Sequence, residues 1–283
     1  MSALECPACG ESETQPLPAY NGYDLARCGF CTFTFTKQRQ FPPELYDKVY
    51  SDVHAYQHMI KAARETQRGD KGYRDLWWSK RMALRWLSRH NVKSVLDLGS
   101  GPGTFLLVAK NWLGAQIQGI EPTVTAAKIA VEIGVPTFNG PVETFSDSRT
   151  FDSITSFEVL EHIPDPLSAL TAARKLLNDS GILILTVPNL DDPYCLHQQI
   201  EPAMPPVHIN FFSRRSMAAL LTRAGFNVQK TFTLPVPTSS VRNIHGRYGW
   251  LARLPSLAVQ SLFGRADGTT LLVIAFKAKS PHS

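Results

Sequence analysis

The 283-residue sequence has no run of about eighteen apolar residues, so no membrane-spanning helix is expected. Its first residues, Met1 to Cys6, carry neither a basic stretch nor an apolar one. No secretory signal is therefore expected, and the default compartment is the cytoplasm, where thiols stay reduced. Charge is sparse and nearly balanced, with 29 Lys and Arg against 24 Asp and Glu. The resulting +5 reads as ordinary solubilising surface, and nucleic acid is not the expected partner. No repeat or low-complexity tract is evident, which argues against a solenoid. No Gly-Lys-Ser/Thr follows a glycine-rich turn, which excludes a P-loop. Cysteine is scarce: five residues, four of them between positions 6 and 31. The fifth, Cys195, reads as a buried apolar residue. What remains is ample for a core, since 43% of residues are hydrophobic. The length fits one large domain, or one domain with a small module.

The four clustered cysteines form two Cys-x-x-Cys pairs, Cys6/Cys9 and Cys28/Cys31, with eighteen residues between Cys9 and Cys28. This spacing fits a structural zinc site with two knuckles. Four thiolates complete a tetrahedral shell and leave no open position for catalysis. A module of about 35 residues buries little core, so a metal would substitute for one. Disulfides or free thiols are the other readings. Arg27 is the only Lys or Arg between the pairs, too few cations to neutralise phosphates, so a structural or substrate-gating role is favoured.

From Ser94 onward β and α patterns alternate. Strands are expected at 94–99, 116–121, 136–139, 152–159, 181–187, 226–234 and 269–277. Helices are expected at 104–113, 123–133, 166–178 and 214–224, after an earlier one over Leu76 to Leu87. Gly114, Gly134, Gly181 and Gly225 stand as stop signals after helical patterns. This alternation predicts an α/β fold: a doubly wound, mostly parallel, seven-stranded sheet behind a small zinc-ribbon-like N-terminal module. The domains read as a zinc module over 1–40, a helical cap over 41–90, and the α/β domain over 91–283. Residues 235–268, an insertion of 34, interrupt the last strand pair and form either a lid or substrate wall, or an extra helical cap.

The segment Val95-Leu96-Asp97-Leu98-Gly99-Ser100-Gly101-Pro102-Gly103 runs a strand into a glycine-rich turn and then a helix. That arrangement brings backbone N–H groups and a helix N-terminus against a ligand, as in nucleoside-cofactor sites. Glu121, about 20 residues later at the end of the next strand, can accept from both ribose hydroxyls. A third segment, Phe157-Glu158-Val159-Leu160-Glu161-His162, ends a buried strand in a polar loop.

These three segments together closely resemble the class I S-adenosylmethionine-dependent methyltransferases, in particular the branch of the ubiquinone-biosynthesis O-methyltransferases. Leu177 to Leu185 and His208-Ile209-Asn210-Phe211-Phe212-Ser213 resemble later segments of the same family. The resemblance implies S-adenosylmethionine as cofactor. It implies that Gly99, Gly101 and Gly103 admit the methionine part, that Asp97 orients its ammonium, and that Glu121 holds the ribose. Val142 and Glu143 would flank adenine, and Phe157 would lie beside the sulfonium.

Methyl transfer is an in-line displacement that needs alignment and exclusion of water. An oxygen or carbon acceptor must also lose a proton, which suits a histidine. His162 and His208 both fall at the carboxyl ends of strands and are the expected bases, with Glu161 and Asn210 as weaker candidates. The Asn/Asp-Pro-Pro-Tyr loop of amino-group methyltransferases is absent, which disfavours an exocyclic adenine or glutamine amide acceptor. Trp77, Trp78, Tyr46, Tyr50 and Tyr56 either close over the site or simply pack. The expected substrate is a small metabolite, sugar or natural-product precursor. An RNA methyltransferase, a non-catalytic zinc adaptor, and a flavin or nicotinamide oxidoreductase are the competing readings. Nothing in the sequence gives the oligomeric state.

Overall fold

The computed structural model describes residues 4–39, 54–192, 204–234 and 268–278. Expectations that rest on Tyr46, Tyr50, Cys195 and nearly all of the 235–268 insertion lie outside those residues. In chain order the strands are β1 (Thr14–Tyr20), β2 (Tyr23–Cys28), β3 (Thr34–Thr36), β4 (Ser94–Leu98), β5 (Gln116–Glu121), β6 (Thr137–Asn139), β7 (Phe151–Phe157), β8 (Leu177–Pro188), β9 (Asn210–Phe211), β10 (Phe226–Leu234) and β11 (Thr270–Lys277). The helices are α1 (His54–Arg68), α2 (Trp78–Arg89), α3 (Thr104–Leu113), α4 (Val124–Glu132), α5 (Pro166–Lys175) and α6 (Arg214–Arg223).

Seven strands form one sheet in the order β10-β11-β8-β7-β4-β5-β6. The pairs β4–β5, β4–β7, β5–β6 and β7–β8 are parallel. Only β11 runs against its neighbours, pairing antiparallel with both β8 and β10. The order reverses between β4 and β7, so the carboxyl ends of these two strands flank the crevice where ligands settle in open α/β sheets.

Burial on both faces explains the near-continuous apolar strands. Ile182 and Ile184 of β8, with Leu272 and Ile274 of β11, join the core under α2, α3 and α4. Their alternates, Leu183, Leu185, Leu271 and Val273, join a second core under α5 and α6. Helix α2 turns Ala83, Leu84 and Leu87 inward, one stripe of a 3.6-residue period. Helix α5 starts where Asp165 accepts a bond from the Ser168 N–H and Pro166 occupies the first turn.

The cysteine segment does not stand apart. Its strands belong to a second sheet, order β1-β2-β3-β9, whose last strand comes from residues 210–211. Cys6, Cys28, Cys31, Phe33 and Phe35 share one core cluster with Phe212, Met217 and Leu221. The ring of Phe33 lies 5.0 Å from that of Phe212. Each fully buried phenylalanine contributes about 2 kcal/mol of apolar burial. The segment thus borrows the core that its own length could not supply.

Two expectations need correction. The helix expected over 166–178 ends at Lys175, because Leu177 is drawn into the sheet opposite Phe151. Gly181 is therefore no helix stop; it lies within β8. Gly114, Gly134 and Gly225 do end helices with positive φ, as expected.

Candidate functional site

Four elements converge at the carboxyl ends of β4, β5, β7 and β8. The first is the turn after β4. Gly99, Gly101 and Gly103 all have positive φ. A Cβ on Gly99 would lie 2.5 Å from a Val159 methyl, and one on Gly103 would lie 2.9 Å from a Val135 methyl. Both contacts are shorter than real side chains allow, so only glycine fits the turn. Met59 of α1 reaches to 3.3 Å from the same point on Gly101, which sets α1 over the loop.

Glu121 closes that turn. Its Oε2 accepts from the Gly101 N–H and its Oε1 from the Thr123 N–H, both at 2.8 Å. The side chain is 7% exposed. Burial raises its pKa, and the two N–H donors oppose that rise.

Asp97 points inward from β4, 3% exposed, and accepts a 2.6 Å bond from the Thr155 hydroxyl. Burial pushes its carboxyl up to about 7, against the pull of Lys80 and Thr155. Lys80 is a site residue that the sequence reading missed. Its ammonium lies 5.2 Å from the centre of the Phe157 ring. Desolvation lowers its pKa, while Asp97 and Glu158 hold it up. The signal was present: Lys80 sits three, four and seven residues before Ala83, Leu84 and Leu87, a cation on an apolar stripe. Phe157 itself is half-buried and packs edge-on to Phe105, ring centres 4.7 Å apart.

Glu158 was also missed. It follows β7 with φ of 57°, a left-handed conformation that costs a non-glycine residue about 1 kcal/mol or more. It keeps surface open to solvent, yet enough protein surrounds its carboxyl to raise the pKa. Both hold at once for a group on the wall of a recess.

The two histidines come together. The rings of His162 and His208 lie 4.7 Å apart and nearly perpendicular. The Nδ1 of His162 bonds the Val207 carbonyl at 2.7 Å, so Nδ1 carries the hydrogen and Nε2 the lone pair. Burial pushes His162 down to about 4. Burial and the neighbouring His162 push His208 down to about 3. Glu161 is 1% exposed, and neither carboxylate oxygen has a hydrogen-bond partner among the described residues. Burial, then the charge of Glu158, raises its pKa well above the usual range. Its Oε1 lies 3.9 Å from His162 Nε2. The ligand atoms of Glu161, His162 and His208 all lie within 4.8 Å of one another, a donor set able to hold a divalent cation. Asn210 is fixed by two bonds from its amide to the carbonyls of Leu160 and Ile163.

Val142 is buried in a short helical turn over Val142–Thr144, and Glu143 beside it is exposed. Trp77 is 62% exposed, whereas Trp78 and Trp86 pack against the core beneath α2.

The four cysteines form a cluster of their own. Sulfur pairs Cys6/Cys31 and Cys9/Cys28 are each 3.6 Å apart, and all four sulfurs lie within 4.8 Å of one another. These separations are too long for disulfides and close to the edge of about 3.8 Å that a zinc–thiolate tetrahedron requires. A hydrogen bond from Cys31 holds Cys6 down to about 5, and burial pushes Cys9 up to about 11.

A family model described as a methyltransferase domain matches residues 71–231, more than half of the chain. The ubiquinone biosynthesis O-methyltransferase of Actinobacillus pleuropneumoniae serotype 7 is 38% identical over 109 residues, 34% of this chain and 46% of that protein. The same enzyme from Vibrio cholerae serotype O1 is 34% identical over 105 residues, 34% of this chain and 42% of that protein. The chain thus spans less than half the length of these curated relatives. The 1,6-didemethyltoxoflavin-N1-methyltransferase of Burkholderia thailandensis, solved with its substrate and S-adenosylhomocysteine, superposes with a TM-score of 0.52 at 18% identity over 94% of this chain and all of that one. The plantazolicin methyltransferase BpumL, solved with SAH, gives 0.52 at 15% identity over 84% of this chain and 95% of that one. The family match, on a seven-stranded sheet with one antiparallel strand, establishes that this chain belongs to the methyltransferase-domain family, with a four-cysteine cluster near its N-terminus.

Proposed function

We propose that the recess binds S-adenosylmethionine and that the chain transfers its methyl group to an oxygen or carbon of a small metabolite, sugar or natural-product precursor. One observation carries the choice of cofactor: the Gly101 N–H, which a pyrophosphate would need, is already held by the Glu121 carboxylate. A dinucleotide phosphate placed there would meet a like charge. A nucleoside with a cationic tail suits the same recess, because the acidic Asp97, Glu121 and Glu158 outnumber Lys80. Bound there, the cofactor supplies an electrophilic methyl on a sulfonium. In this reading Glu121 accepts from ribose hydroxyls, Asp97 holds the ammonium, and Phe157 lines the reacting end. Val142 and Glu143 take the adenine side.

His162 and His208 are neutral at pH 7 on the shifts above, so either offers a nitrogen lone pair to an acceptor proton. The Val207 carbonyl fixes the His162 tautomer and so dedicates Nε2 to that role. A second reading is favoured by the unpartnered Glu161 carboxylate. Here a divalent cation on Glu161, His162 and His208 would stabilise the deprotonated acceptor. Loss of activity on chelation, reversed by added cation, would select it. The cysteine cluster fits structural zinc, held by Cys6, Cys9, Cys28 and Cys31.

Calorimetry with S-adenosylhomocysteine, with NAD as control, tests the reading. Dissociation constants of about 1–100 μM for the first alone are expected. Binding of NAD alone, or of neither to folded protein, would refute it.

A further inference from the structure

The cysteine segment reaches the histidine pair through one side chain. Arg39 stands three residues beyond β3 and is half-buried. Its Nε donates to the Pro164 carbonyl at 2.9 Å, its Nη2 donates to the same oxygen, and its Nη1 donates to the Ile209 carbonyl at 3.3 Å. Pro164 lies two residues after His162, and Ile209 directly follows His208. The two loops are also zipped from within. The N–H groups of Ile209 and Asn210 both donate to the Glu161 carbonyl, at 2.8 and 3.1 Å. The Thr36 N–H adds a 3.0 Å bond to Ile209 from the cysteine side. At the base of α6, the Thr32 and Ser213 hydroxyls meet at 2.6 Å.

We propose that Arg39 is a positioning residue for methyl transfer: its guanidinium clamps the Pro164 and Ile209 carbonyls and so sets the spacing of the loops that carry His162 and His208. The inference rests on the reading above, in which that pair faces the acceptor. A planar fork fixes two acceptors relative to each other, which a lysine ammonium, a single rotatable point, does not. The guanidinium also stays charged at every working pH, so the clamp holds while groups around it titrate. The cysteine segment then has a use beyond packing. It carries the third arm of the site, and the catalytic loops take their spacing from it.

The test uses full-length, zinc-loaded protein. In wild type, the Nδ1–H of His162, donated to Val207, should give a slowly exchanging imidazole signal in proton–nitrogen spectra. Arg39→Ala should speed that exchange at least tenfold. Zinc content should be unchanged and S-adenosylhomocysteine affinity should stay within twofold. Millimolar ethylguanidine should restore the slow exchange. Arg39→Lys keeps the charge and the stem, and should behave as the alanine variant does. It carries the test should Arg39→Ala fail to fold. Unchanged exchange in a folded, cofactor-binding variant would overturn the proposal, as would full function of the lysine variant in this assay. Failure of the wild type to bind S-adenosylhomocysteine would instead strike the underlying reading.

Discussion

Replacing Glu121 by alanine tests the turn and the cofactor site together. The side chain holds two backbone N–H groups, of Gly101 and Thr123, each at 2.8 Å. Leaving one such buried donor unpaired costs about 1–3 kcal/mol, so two would cost about 2–6 kcal/mol. The variant also sheds the cost of burying the carboxylate, whose pKa is raised by that burial. The net loss in the ligand-free protein should therefore lie near the lower end, about 2 kcal/mol. Glutamine should rescue little, because its amide keeps an acceptor for one N–H and turns a donor toward the other. Cofactor affinity should fall at least tenfold, about 1.4 kcal/mol, because both the tethered loop and the ribose contact are lost. Urea unfolding gives the first quantity and calorimetry with S-adenosylhomocysteine the second. Stability and affinity both within error of wild type would refute the reasoning. Lost stability with intact affinity would confine Glu121 to holding the turn.

Further outcomes follow from neighbouring geometry. Asp97 titrates near 7 and must be ionised to hold an ammonium, so S-adenosylhomocysteine affinity should rise as pH increases through that value. Lys80 lowers the Asp97 pKa, so Lys80→Met should move the midpoint to higher pH; calorimetry at a series of pH values would show an unmoved midpoint if the pairing is wrong. Gly99→Ala should destabilise by about 2–3 kcal/mol, from a left-handed φ and a methyl pressed on Val159. Adding Val159→Ala should return only the clash, and full recovery in thermal melts would show that φ carries no strain. Cys6→Ser with Cys28→Ser should lose zinc in elemental analysis and speed Thr36 amide exchange at least tenfold, since β3 loses its support; retained metal would place the ligands elsewhere.

Local chemistry made much of this legible. Strand β4, its glycine turn and α3 follow from a contiguous stretch in which apolar residues, turn glycines and helix formers each favour the structure they adopt. The cysteine pairs are legible because the Cys-x-x-Cys spacing is written in the local sequence, and the four sulfurs do come together. The misses share a cause, which is that distant partners decided them. Leu177 ends a helical pattern but is claimed by the sheet opposite Phe151. The pairing of Phe35 with Asn210 joins residues 175 positions apart, and no local pattern announces it. Arg39 reads as an ordinary solvated cation until Pro164 and Ile209 are seen beside it. Lys80 differs, since its place on an apolar stripe is visible in the sequence.

Strands β10 and β11 pair with each other although a long segment of sequence separates them. Leu234 and Thr270 are direct partners, and Thr270 also faces Pro188 at the carboxyl end of β8. The chain between them therefore departs and returns at one point, on the edge of the sheet where the recess opens. Closing a loop whose ends are already paired depends on length only logarithmically, about 0.6 kcal/mol for each doubling. Segments of very different length and composition can be exchanged there at little cost to the sheet. The sheet and the segment inserted between its last two strands can thus evolve at separate rates.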